Sequence, residues 1–560
     1  VRRREGLLMA AKDQVDVCII GSGAGGGPLA LELGRAGFKV VVLEKGAWYR
    51  QEDFVHDEIL NSRRNFFMPL PWDEPHLWRQ EGQPYTRSNE AWTANCVGGG
   101  TVHMSGYFYR LKPVDFRMKT ELGAPAGSTV VDWPITYKDL APYYDKAEIE
   151  LGVSGNAVPH PFLEPRKGNY PLPPLAEHPA AQEIDKAAKS LGWHAIPTAR
   201  GIVSQPYRGR DACVYCTLCG SYGCEHGAKS GTNSSVIPAA IATGNVELRP
   251  KCMAMEITVD AKGLAKSVLY KDENGETQEQ PAKVIVASCT AVESARLLLN
   301  SKSSRFPNGL ANDNGLVGKN LLFSSFGQSK ATFSVSKRAK DLPWLTATLP
   351  FINRSLQDFY VMPDDRFGFR KGGTLGFMWA HPNPIFAAVG LASKGERGVF
   401  GKALKDKLRT YKDSRILEFE IYGEFLPTPG TSVTVDSNVK DKFGLPVAAI
   451  TLKRHPLDFT MTKFLVERGE EVLQQLSPDK VDRVGVAGET TILQGGTCRF
   501  GTDAATSVLD ADCRAHAVKN LYVVDGSFLP TSGGVPLTLT IAANSFRVAD
   551  RMIAALKKGV

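Results

Sequence analysis

Hydrophobic residues near the start of the chain fall into a short run, Val15-Asp16-Val17-Cys18-Ile19-Ile20, which predicts a strand. A glycine-rich stretch, Gly21-Ser22-Gly23-Ala24-Gly25-Gly26-Gly27, follows it. Apolar positions then recur at helical spacing over Pro28–Gly34, and Lys39–Leu43 predicts a second strand that ends at Glu44. Further along, Val284-Ile285-Val286-Ala287-Ser288-Cys289 predicts a strand, with a helix over Ala291–Asn300. Strands are also predicted within Arg415–Leu426 and over Ser432-Val433-Thr434-Val435. Residues 51–90 and 155–210 are rich in Pro, aromatic and polar residues and read as long excursions, either lids or a partner surface.

The chain has 560 residues, too many for one hydrophobic core, so at least two domains are expected. With 43% hydrophobic and 22% charged residues, the composition is that of an ordinary soluble globular protein. The net charge of +8 is spread along the chain, which fits a mildly basic surface and not a nucleic-acid-binding face. No apolar run approaches the ~18–20 residues that span a bilayer. Val1-Arg2-Arg3-Arg4-Glu5 resembles the positive end of a signal sequence, but the apolar segment after it is too short for one. Residues 1–11 are therefore expected to be a disordered tail without an export signal, and the default location is cytoplasmic.

The first glycines carry chemistry. A G-x-G-x-x-G turn is weak evidence alone, but here it follows a strand, opens a helix and precedes an acid by about 20 residues. Gly21 permits the tight turn, Gly23 lets the backbone approach a pyrophosphate, and Gly26 allows close helix–strand packing. Glu44 is placed to accept hydrogen bonds from ribose hydroxyls. The turn does not by itself separate FAD from NAD.

The second signal is Cys213-x2-Cys216-x2-Cys219-x4-Cys224, with the other six cysteines scattered. This is not the disulfide framework of a small secreted domain. Two-residue gaps let successive thiolates turn toward one centre, and the spacing is close to a ferredoxin run. An iron–sulfur cluster is the first reading. Structural zinc, which usually splits its ligands into two distant pairs, and free or disulfide-bonded cysteines remain alternatives. Glu225 and His226 are competing ligands.

Four segments in the same order resemble the glucose–methanol–choline (GMC) oxidoreductases. They are the glycine turn; Cys96-Val97-Gly98-Gly99-Gly100-Thr101-Val102-His103-Met104; Asp132-Trp133-Pro134-Ile135-Thr136-Tyr137; and Gly496-Thr497-Cys498-Arg499-Phe500-Gly501 through Asp525-Gly526-Ser527 to Asn544. The third segment is similar to the bacterial sugar and gluconate dehydrogenase branch. The resemblance implies an α/β fold: a discontinuous Rossmann-like FAD-binding domain and an α+β substrate domain with an antiparallel sheet. We assign 12–320 and 488–560 to the first, with the cysteine loop inserted at 210–230, and 321–487 to the second. The resemblance places Gly98, Gly99 and Thr101 beside the flavin, and Asp525, Gly526 and Ser527 near its pyrophosphate and ribityl chain. His103 falls where some relatives attach FAD covalently; a non-covalent histidine lining the flavin is the expectation here.

The resemblance breaks at the family's proton-handling pair. Its catalytic His position is Leu493, and its His or Asn position is Pro536. Neither side chain can carry a proton. Candidate substitutes are Glu424, His103 and, as a polar anchor, Gln494; His381, His455 and His516 read as surface or core histidines. The functional expectation is an FAD-dependent dehydrogenase that oxidises a carbinol of a sugar, glycoside or polyol. Electrons would leave through a 3Fe-4S or 4Fe-4S cluster to an external acceptor such as a cytochrome. Relatives of this kind work with a small partner subunit, which would carry the chain to the periplasm. The alternatives are different flavin redox chemistry, such as a C–C dehydrogenation or a reduction, and a catalytically silent electron-transfer or binding subunit.

Overall fold

The structure is a computed structural model that describes residues 13–55, 57–59, 67–91, 94–380, 383–393, 398–486 and 492–559. The expected tail and His381 lie outside the described residues. Val15–Ile20 and Val40–Leu43 are strands, and the glycine turn leads into the helix Gly26–Arg35. The two strands pair in parallel, as a strand–helix–strand crossover requires. Val246–Arg249 joins one side in parallel, beyond Val40–Leu43.

The long strand Thr277–Ala287 organises the rest of this sheet. Its second half lies parallel between Val15–Ile20 and Leu521–Val523, so the two ends of the chain meet across it. Its first half continues into an antiparallel meander with Ala265–Lys271 and Met253–Val259. The strand is polar where it leaves the body and fully apolar over Val284–Ala287, where both faces are covered. The helix Ala291–Asn300 follows, over the residues its periodicity predicts. The last helix, Thr538–Leu556, is buried along most of its length. There the Ser545 hydroxyl donates to the Gly25 carbonyl and so ties the C-terminal segment to the first turn.

A second, wholly antiparallel sheet runs in the order Lys480–Val486, Gly327–Ser334, Ser414–Gly423, Gly373–Trp379, Arg354–Leu356, Ala195–Pro197. Ala195–Pro197 comes from well before residue 321. One face of this sheet presents Leu375, Phe377, Leu417, Phe419 and Ile421 to a core shared with the helices Ala180–Ser190 and Pro456–Gln475. Alternation along Ser414–Gly423 therefore turns Glu418, Glu420 and Tyr422 the other way. A third sheet joins distant stretches: Gly495–Thr497, Lys319–Leu322, Ser432–Lys440, Pro446–Leu452, His76–Gln80 and Thr86–Ser88. Residues 76–88, read as part of an excursion, thus form an edge of this sheet. Among the described residues, no helix is long and apolar enough to cross a membrane.

Candidate active site

The turn after Val15–Ile20 is shaped by contacts that exclude side chains. Gly21 has φ +100°, and a Cβ there would lie 2.2 Å from the Ser288 carbonyl oxygen. A Cβ on Gly26 would lie 2.0 Å from the Gly21 carbonyl oxygen, the close packing expected of the third glycine. Gly23 differs: the nearest atom to its Cβ position is the Gly98 carbonyl oxygen, 3.8 Å away. Space is left above Gly23 but not around the other two. Glu44 accepts hydrogen bonds from Ser22 N (3.1 Å), Ser22 Oγ (2.7 Å) and Gly46 N (2.9 Å). Burial raises its carboxyl above the ordinary range despite these donors.

The segment 98–101 is fastened onto this turn. Gly98 N donates to Ser22 Oγ (2.9 Å), Thr101 Oγ1 donates to the Gly98 carbonyl (2.6 Å), and Thr232 N donates to Thr101 Oγ1 (3.0 Å). Gly98 and Gly99 both have positive φ, so the chain curls into a short 3-10 turn over Gly99–Thr101. From the C-terminal side, Asp525 accepts from Ser527 N (2.7 Å) and Ser527 Oγ with one oxygen, and from Ser294 Oγ (2.5 Å) and Thr290 N (3.2 Å) with the other. Asp525 thus fixes the start of the helix Ala291–Asn300 against Gly526 and Ser527.

These pieces wall one cavity of about 540 Å³, within the range of cofactor and ligand sites. Gly21, Gly23, Glu44, Gly99 and Thr101 line one part of it, and Asp525 and Gly526 another. Ser288 Oγ, buried and without a hydrogen-bond partner among the described residues, also borders it. A glycine-walled recess at a helix N-terminus with an unsatisfied hydroxyl fits a dinucleotide diphosphate.

His103, Leu493, Gln494 and Pro536 border the same cavity. The two positions where a proton carrier is missing therefore face the site and are not buried elsewhere. Gln494 is anchored: its Nε2 donates to the Ala91 carbonyl, and its Oε1 accepts from Val292 N (3.4 Å). Glu424 does not border the cavity. Its Oε1 accepts from Ser532 N (3.0 Å) and Ser532 Oγ (3.1 Å), and burial, against the pull of Lys371, lifts its carboxyl to about 7. His455 caps the helix Pro456–Gln475, and His516 bonds Ser507 Oγ (3.0 Å).

Sequence reasoning missed Glu420 and Tyr422. Both face the cavity from the antiparallel sheet, and the Tyr422 hydroxyl donates to Glu420 Oε2 (2.9 Å). Burial, reinforced by Glu418, raises the Glu420 carboxyl to about 7, while Tyr422, Lys330 and Arg200 pull it down. The signal lay in Glu418-Phe419-Glu420-Ile421-Tyr422, where polar groups alternate with apolar ones inside a strand.

Models of the GMC oxidoreductase family match residues 87–324 and 427–545, more than half the chain. The chain belongs to the GMC oxidoreductase family. As a member it is a flavoprotein oxidoreductase, and the resemblance and fold expected from the sequence hold. It is 32% identical to 2-methyl-1,2-propanediol dehydrogenase of Mycolicibacterium austroafricanum, over 97% of this chain and 96% of that protein. It is likewise 32% identical to 6'''-hydroxyparomomycin C oxidase of Streptomyces lividus, over 98% and 93%. Similarity at 25% identity extends to the gluconate 2-dehydrogenase flavoprotein of Pantoea cypripedii, over 97% and 94%. The fold matches that of formate oxidase from Aspergillus oryzae with a TM-score of 0.63 at 15% identity, over 98% of this chain and 100% of that one.

In this GMC oxidoreductase the cysteine loop abuts the cavity: Ser221 N donates to the His103 carbonyl (2.7 Å), and both residues line it. Tyr215, Thr217 and Ser221 all have positive φ, so the loop is tightly wound without glycine at those points. Cys213, Cys216, Cys219 and Cys224 are free thiols. They are near enough for Cys216, Cys219 and Cys224 to add to the rise that burial causes at Cys213, whose thiol is pushed up to about 12. Among the described residues, however, no group of three or more His, Cys, Asp or Glu side chains is arranged to hold a metal. The expected ligand set is therefore not gathered. Cys213, Cys219 and Cys224 lie against apolar residues such as Val203 and Phe351.

Proposed function

We propose that this GMC oxidoreductase is an FAD-dependent dehydrogenase that oxidises a carbinol of a sugar, glycoside or polyol and passes the electrons to an external acceptor. One observation carries the reading: a single cavity joins the diphosphate-sized recess at Gly21–Gly25 to the wall at Leu493 and Pro536. Relatives named for a diol, an aminoglycoside and gluconate support a polyhydroxylated substrate. The gluconate 2-dehydrogenase relative is named as a flavoprotein, which agrees with a partner subunit.

Flavin, when bound, would supply the two-electron acceptor for oxidation of a carbinol to a carbonyl, and the hydroxyl proton would fall to a protein base. The chain's residues hold and shape the site. Gly21, Gly23 and the helix N-terminus would take the diphosphate, and Glu44 the ribose. Gly99, Thr101 and His103 would border the flavin, with Gly98 shaping the turn that carries them, while Asp525, Gly526 and Ser527 would brace the far wall. Gln494 positions Ala91 and the start of the helix at Val292.

Anaerobic addition of polyols, sugars and aminoglycosides to the purified protein tests the reading. A substrate carbinol should bleach the oxidised flavin band. If none does while a chemical reductant does, the carbinol reading fails in favour of other flavin chemistry or a silent subunit.

The relay through a 3Fe-4S or 4Fe-4S cluster is supported by the cysteine spacing and by the loop's contact with the cavity wall, not by a ligand set. Iron and sulfide analysis tests it. Cys216→Ser should lose iron while keeping flavin; an iron-free wild type, or unchanged iron in the variant, removes the relay.

A further inference from the structure

We propose that Glu420 is the general base of this site, entering the cavity from the antiparallel sheet where the wall at Leu493 and Pro536 has lost both proton carriers. The inference rests on the carbinol oxidation proposed above.

Geometry singles out this carboxylate. Glu420 sits in the middle of Ser414–Gly423, opposite Gln328 on one neighbouring strand and Gly376 on the other. A Cβ at Gly376 would meet nothing nearer than the Tyr422 ring at 3.5 Å, so room is left beside Glu420. The surrounding surface is aromatic: Tyr107 lies 5.8 Å from Tyr422 and stacks on Tyr109 at 6.3 Å, with Arg200 3.7 Å above Tyr107. Such rings suit the apolar face of a sugar or polyol. The other carboxylates of this strand region are engaged. Glu418 pairs with Lys330 at 3.1 Å and does not border the cavity, and Glu424 holds Ser532.

Glu420 also has the acidity the task needs. A base is most effective when its pKa lies near the working pH, and this carboxyl is lifted to about 7. The groups that set it are Glu418 and Tyr422 on its own strand, Lys330 on the adjacent strand, and Arg200 and Tyr107 from the chain that lines the cavity. The ionised form takes the carbinol O–H proton as the C–H electron pair departs as hydride. The protonated form returns that proton to solvent before the next turnover.

The test uses the flavin-loaded protein and the carbinol that bleaches it. Wild-type flavin reduction should rise with pH and level off above a midpoint near 7. Glu420→Gln keeps an acceptor for Tyr422, so it should retain flavin; its reduction should be slower by ~10²–10⁴-fold and flat with pH. Tyr422→Phe removes a donor that favours the ionised acid, so the midpoint should move upward. A second readout needs no turnover: the protonated-carboxyl infrared signal titrating near pH 7 should lose one component in Glu420→Gln and keep the component that Glu424→Gln removes. Full-rate reduction in Glu420→Gln, or a midpoint abolished by Glu424→Gln instead, overturns the assignment. Bleaching with a carboxyl signal that Glu420→Gln leaves undiminished defeats the base alone. A wild-type flavin that no carbinol bleaches defeats the reaction and the base together.

Discussion

At the scale of single residues, the three fingerprint glycines do different work, and substitution separates them. Gly23 has room for a methyl group within the protein, but that methyl group would stand where the ligand must approach. Gly23→Ala is expected to fold with wild-type stability and to bind FAD at least ~10-fold more weakly, which flavin titration of the apoprotein measures. Gly21→Ala meets both a left-handed backbone and the Ser288 carbonyl. It should lower the melting temperature itself, since left-handed strain alone costs roughly 1–2 kcal/mol. The tight turn at Gly21, the close packing at Gly26 and the position of Glu44 were legible in the sequence because each follows from backbone geometry over a few residues. Glu420 was not. Its distinction is that it faces the same cavity as residues 493 and 536, a fact of tertiary structure.

At the scale of elements, the strand Ser414–Gly423 shows how a visible local pattern pointed to an acid that does not border the cavity. Its alternation was visible, and Glu424 is in phase with Glu420. The strand ends at Gly423, however, and the chain turns there, so that Glu424 meets Ser532 in place of the cavity. The helix Pro456–Gln475 makes a related point about buried acids. In its first turn Asp458 accepts from Leu426 N with Oδ1 (3.0 Å), while Oδ2 is buried without a partner among the described residues. Burial raises this carboxyl from 3.8 to about 8, so the folded state favours its protonated form. That contribution to stability is complete below pH 3.8 and is lost as pH rises through about 8. Asp458→Asn keeps the acceptor and removes the titration. Its melting temperature should fall less than that of the wild type as pH rises across this window, as calorimetry at several pH values will show.

At the scale of the whole molecule, the parallel sheet and its discontinuous supply of strands could be anticipated, because long apolar runs such as Val15–Ile20 and Val284–Ala287 declare themselves. The sheet joining Gly495–Thr497, Lys319–Leu322, Ser432–Leu452 and residues 76–88 could not. Its strands are short, widely separated and partnered only in the finished fold. The cysteine loop sits between these cases. Its spacing predicts a ligand set, whereas the folded chain shows four free cysteines in a loop that reaches the cavity wall through Ser221.

The pairing of Val15–Ile20 and of Leu521–Val523 with the same strand, Thr277–Ala287, has a consequence for biosynthesis. The recess at Gly21 leaves the ribosome about 500 residues ahead of its closing wall at Asp525 and the helix that bonds Gly25. At ~5–20 residues per second, roughly 25–100 s of translation separate them. From the synthesis of Thr277–Ala287 until that of Leu521–Val523, the parallel sheet lacks the strand that pairs with Ile285–Ala287. Cofactor loading is consequently a late event, and ribosome-arrested chains that stop short of residue 521 should not retain flavin.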